Sequence, residues 1–155
     1  AAELYWQAGH LLKRDHAMGA QDPGIVMLVS VTVVGLMSVG QVDRARVFLD
    51  LVGDGVAMML SDTGWHDRPQ SGTMALAAGY VLCAEPETRE TGARLMLLSR
   101  KLRARRDYRC LFVADRDMRV LSRLPDAGWD AMVESAMAVT RSAAIGEVAR
   151  LLSAV

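Results

Sequence analysis

Apolar residues recur along this chain mostly at helical spacing, broken by short polar or glycine-bearing steps. That pattern predicts an all-α fold: one domain over 1–155, a compact bundle of six to eight helices with antiparallel helical hairpins. Leu4, Ala8, Leu11 and Leu12 stand at i, i+4, i+7 and i+8 ahead of Lys13, Arg14 and Asp15, which predicts an amphipathic first helix ending near Gly19. Asp22 followed by Pro23 reads as an N-cap with proline at the first helical position, so a second helix is expected from residue 23 to Val39, stopping at Gly40.

Between Pro23 and Val42 there is no charged residue, and Ser30, Thr32, Gly35 and Ser38 are the main interruptions of a Val, Leu and Met run. A membrane span wants roughly 20 mostly apolar residues. The run here is shorter and bracketed by Asp22 and Asp43, so a central helix wrapped by its neighbours is the expected reading.

Val42, Ala45, Leu49 and Val52 then repeat at helical spacing, predicting a third helix folded back on the second, with Gly53-Asp54-Gly55 as the place where it breaks or bends before Val56–Leu60. Gly40, Ala45 and the Leu49/Val52 stripe are similar to the turn and second helix of a tetratricopeptide unit. No second copy follows at the period of about 34 residues such arrays need, so the segment is read as a simple hairpin.

Residues 61–70 read as a loop. Ser71 is expected to cap a fourth helix through Thr73–Cys83, whose Ala75, Ala77, Ala78 and Gly79 suit close helix approach. Pro86 is expected to open a fifth helix that carries Leu95, Leu98 and Leu102 inward and continues to Arg106. Residues 108–114 suit a short strand, an extended loop or a further helix start. Two closing helices are expected over Ala131–Val139 and Ala143–Leu152.

Charge adds what periodicity does not show. The chain is neutral in total, yet nine of its eighteen Lys and Arg fall between Arg100 and Arg123 against three Asp, while residues 1–90 carry eleven acids and six bases. Summed charge of one sign steers encounter with the other over a Debye length of about 8–10 Å. An interaction or assembly domain is therefore expected, binding an acidic macromolecular partner through a basic helical surface over 94–123. Its contact residues are Arg94, Arg100, Lys101, Arg103, Arg105, Arg106, Tyr108, Arg109, Arg116 and Arg119.

The alternative is direct DNA or RNA binding by the same surface, with Tyr108 and Phe112 placed to stack on unpaired bases. The plain structural reading is a solvated face already matched by the acidic half of the molecule. Self-association, head-to-tail or symmetric, is a further expectation from the charge asymmetry.

Other candidates carry less. In the 61–71 loop His66 lies between Trp65 and Asp67, with Ser61 and Ser71 as nominal nucleophiles. A small enzyme is the third reading, but a general base needs an orienting partner and an oxyanion site, so Trp65 and His66 are read as a loop anchor. No catalytic residue or cofactor is assigned. His10 and His16, six apart, cannot form the i, i+4 metal pair of one helix face, and no metal site is expected.

Cys83 and Cys110 lie far apart without CxxC spacing, which suits reduced thiols in an intracellular compartment; no signal-peptide pattern is visible. The chain opens at Ala1 with helical pattern already running, as in a fragment of a longer protein. Most of the ten methionines coincide with apolar stripes, so they are read as core filling.

Overall fold

The computed structural model describes residues 1–17, 22–61, 68–104, 120–121 and 128–155. Within them the chain forms α1 (Ala2–Ala17), α2 (Pro23–Ser38), α3 (Val42–Arg46), α4 (Leu49–Ser61), α5 (Arg68–Leu82), α6 (Arg89–Lys101), α7 (Trp129–Ala138) and α8 (Arg141–Leu152). All but the five-residue α3 have ten residues or more, and no strand occurs among the described residues. The all-α bundle expected from the spacing is what the chain builds; the segment 108–114 lies outside the described residues.

α2 is the central element, packed against α1, α3, α4 and α5. Asp22 caps it, its Oδ1 accepting from the Gly24 N–H at 2.7 Å. Val26, Val29, Val33, Val34 and Leu36 are wholly buried. The hydroxyls that interrupt this run are satisfied inside the helix: Ser30 donates to the Val26 carbonyl at 2.9 Å and Thr32 to that of Leu28 at 3.0 Å. Its 16 residues span about 24 Å, short of a hydrocarbon core of about 30 Å. No helix among the described residues is long and apolar enough to cross a membrane.

The helix stops in a Schellman turn. Gly40 adopts φ 75°, its N–H donates to the Met37 carbonyl, and the Gln41 N–H donates to that of Leu36.

α1 lies on α2 with a face different from the expected one. Leu4 and Leu11 are 73% and 52% exposed, whereas Tyr5, Gly9 and Leu12 turn inward. Two glycines set this rotation. A Cβ at Gly35 would stand 2.5 Å from the Tyr5 ring, and one at Gly9 would stand 2.5 Å from Phe48 Cζ. Each glycine leaves room for an aromatic ring, and ring burial outweighs that of Leu4.

The third predicted helix breaks earlier than expected, at Val47–Phe48. Phe48 is driven wholly into the core, where its ring meets Trp6 and His10 edge-on at centroid separations of 5.7 and 5.4 Å. α4 then runs unbroken through Gly53 and Gly55. Gly55 is a contact point rather than a breaker, since a Cβ there would stand 2.3 Å from Val26 Cγ1.

Ser71 does not cap α5. It lies a turn inside the helix, wholly buried, with its hydroxyl on Met59 Sδ at 3.3 Å. Every residue from Ser71 to Cys83 is buried, which makes α5 a second central helix. α6 returns antiparallel along it and begins at Arg89, not at Pro86, because residues 83–88 form a turn tied by the Thr88 hydroxyl donating to the Leu82 carbonyl at 2.8 Å. α7 and α8 close the bundle over α6 and α4, with Thr140 Oγ1 accepting from the Ala143 N–H at 3.3 Å as the α8 N-cap.

Candidate partner-binding surface

Four of the ten expected contact residues lie in the described structure, and the fold separates them. Arg94 was expected on the basic helical surface that meets the partner. Instead its Nε and Nη2 reach Glu147 Oε1 at 2.5 Å and its Nη1 donates to the Ser135 hydroxyl at 3.0 Å. With side chains only 21% and 16% exposed, Arg94 and Glu147 tie α6 to α7 and α8. Arg94 is therefore engaged within the fold, and its partner comes from the C-terminal part of the chain, not from the acidic N-terminal half. Two of the N-terminal acids, Glu3 and Glu85, pair with Arg44 and Arg46 of α3.

The remaining three gather where α6 ends. Arg100 and Lys101 occupy its last turn, where cations complement the negative end of the helix macrodipole. Lys101 Nζ donates to the Met137 carbonyl near the end of α7, a contact that satisfies a hydrogen bond without cancelling the charge. Arg103 departs from the expected continuation of the helix to Arg106. Its φ is 58°, the only left-handed non-glycine backbone among the described residues, and its side chain is exposed.

The turn at Arg103 repeats the one at Gly40. The Arg103 N–H donates to the Arg100 carbonyl at 3.0 Å and the Ala104 N–H to that of Ser99 at 2.9 Å, the two bonds of a Schellman motif. Leu102 and Ala104 are buried on either side, and Ala104 rests on α5 where a Cβ at Gly72 would stand 2.8 Å from its nitrogen. Buried neighbours thus force the intervening guanidinium outward.

Two residues not foreseen from sequence complete this end. Met137, expected in the core, is 46% exposed beside the Lys101 contact, and Arg141 opens α8 four residues later, also exposed. The only signal in the sequence was the position of Arg141 just past the Thr140 cap. Arg105, Arg106, Tyr108, Arg109, Arg116 and Arg119 lie outside the described residues, as do Trp65, His66 and Cys110.

His10 stands edge-on to Trp6 at 4.1 Å, with the Arg44 guanidinium 5.1 Å from the indole centroid. Cys83 is free, and burial pushes its thiol up to about 12 despite the nearby Arg89 charge. Among the described residues no group of three His, Cys, Asp or Glu is placed to hold a metal ion. Comparison of the chain with protein-family models, curated proteins and solved structures finds no match.

Proposed function

We propose that this chain is a non-catalytic interaction domain that docks an acidic protein surface on the end formed by the α6 C-terminus and the α7–α8 junction. The observation that carries this reading is the contact of Lys101, two residues along the chain from exposed Arg103, with the carbonyl of exposed Met137. Protein interfaces combine an apolar anchor with flanking Arg, whereas phosphate binding needs cations in register and gains nothing from an exposed thioether. Arg103 adds a second support. A left-handed non-glycine residue costs roughly 1–2 kcal/mol, and such local strain gathers at functional positions.

The test is fluorescence anisotropy with two probes, a labelled peptide of alternating Glu and Leu and a labelled random single-stranded oligonucleotide. The peptide is expected to bind, and Arg103→Glu and Met137→Ser are each expected to weaken it about tenfold. Tighter oligonucleotide binding that falls steeply between about 50 and 200 mM salt, with Met137→Ser neutral, would replace this reading by nucleic-acid binding. If neither probe binds, the reading is wrong.

A further inference from the structure

Resting on that reading, the geometry points to a second copy of this chain as the acidic partner, docked head-to-tail in the groove between α4 and α8. This groove is a concavity of about 430 Å³ lined by Leu49, Asp50, Gly53, Asp54, Ala149 and Leu152, among others. Its lining is apolar apart from Asp50, Asp54 and Ser153, and the two aspartates, one helical turn apart on α4, are exposed. Among the described residues neither makes an ion pair, whereas Glu3 and Glu85 are already matched. The C-terminal end of α8 lies at the same groove, where Arg150 of its last turn offsets the negative pole of the macrodipole, so the negative charge of the groove comes from the two aspartates.

Cationic surface and acidic groove lie toward opposite ends of α8. α8 opens at Arg141, near the Lys101 contact with α7, pairs through Glu147 with Arg94 midway, and finishes at Leu152 in the groove. Its twelve residues span about 18 Å, roughly twice the Debye length at physiological salt, so the two poles do not neutralise one another within one molecule. They can do so between molecules.

The occupant also fits by shape and polarity. Arg103 projects from a turn held by buried neighbours, and exposed Met137, whose carbonyl Lys101 holds, supplies an apolar side chain for the Leu49 and Leu152 walls. Because the two surfaces differ, the contact is heterologous: each copy offers one of each, and assembly propagates along a chain or closes into a ring. With a formal net charge of zero, no overall repulsion opposes growth.

The full chain is measured by sedimentation velocity across concentration and salt. Wild type is expected to gain average mass with concentration and lose it with salt. Arg103→Glu removes the plug and Asp54→Lys removes the socket; both sites are exposed, and far-UV circular dichroism checks that each variant folds. Each alone is expected to be monomeric, while their equimolar mixture forms complexes heavier than either component, because the Asp54→Lys copy keeps its plug and the Arg103→Glu copy its socket.

A wild type that stays monomeric, or a mixture no heavier than its components, overturns the proposal. If wild type is monomeric yet binds the Glu/Leu peptide through Arg103, the partner assignment alone fails. If peptide binding is also absent, the docking function fails with it.

Discussion

Gly79 of α5 and Gly92 of α6 face each other so closely that a Cβ on either would stand 2.8 Å from the carbonyl oxygen of the other. Backbone meets backbone here, and no side-chain rotation relieves the overlap. Gly92→Ala is therefore expected to destabilise by about 2 kcal/mol, although alanine is the better helix former by about 1 kcal/mol. Gly146→Ala, with open space around its Cβ position, is expected to stabilise by up to about 1 kcal/mol. Urea unfolding of the two variants checks the opposite signs.

The Arg94–Glu147 pair joins residues from two helices in a setting mostly closed to water. Arg94→Ala leaves a shielded carboxylate without its partner, while the exposed Ser135 hydroxyl turns to water, and is expected to cost about 2 kcal/mol. A double-mutant cycle with Glu147→Ala is expected to give a coupling above about 1 kcal/mol, more than an exposed ion pair supplies. Coupling near zero would show that α6 is held to α8 by apolar packing alone.

Arg103 and Gly40 occupy the same position of the same turn, so the chain contains its own control. Arg103→Gly is expected to stabilise the fold by about 1 kcal/mol, and Gly40→Ala to destabilise it by a similar amount. If the α6 end docks an acidic surface, Arg103→Gly gains stability while losing affinity for the Glu/Leu peptide. Denaturant midpoints and anisotropy, read on the same sample, separate the two effects.

The Cys83 thiol has its pKa raised from 9.0 to about 12 by burial, so the folded state favours the neutral form. Below about pH 9 the thiol is neutral whether the chain is folded or not, and its stabilising effect is fully present. As pH rises from 9 toward 12, the unfolded chain ionises and the fold does not, so stability falls. Wild type is expected to lose stability over this window more steeply than Cys83→Ala, and a thiol reagent at pH 8 is expected to react at Cys83 only after denaturation.

Local chemistry made several elements legible. An Asp22–Pro23 start, an uncharged run and a glycine stop define α2, because capping and helix termination act within a few residues. The α7–α8 break at Thr140 was legible for the same reason. α1 was misread because hydropathy counts Leu4 and Leu11 as core and gives Gly9 no weight. Yet Gly9 is where Phe48 enters and Gly35 is where Tyr5 lies, and a residue valued for the space it leaves has no apolar signature. Gly55 misled in the same way, being a contact with Val26 and not a break.

The charge asymmetry was also written in the chain, as a count of cations between Arg100 and Arg123. Its availability was not. Glu147 meets Arg94 across 53 residues, and the exposure of Met137 near Lys101 depends on how the ends of α6 and α7 meet. The sequence by itself determined which segments are helical, where most of them stop and which sign of charge each region carries, since those depend on neighbours along the chain. Tertiary packing alone decided which cations face outward and which acids remain unmatched, because pairing is set by distance in space and burial by the helices that arrive from elsewhere.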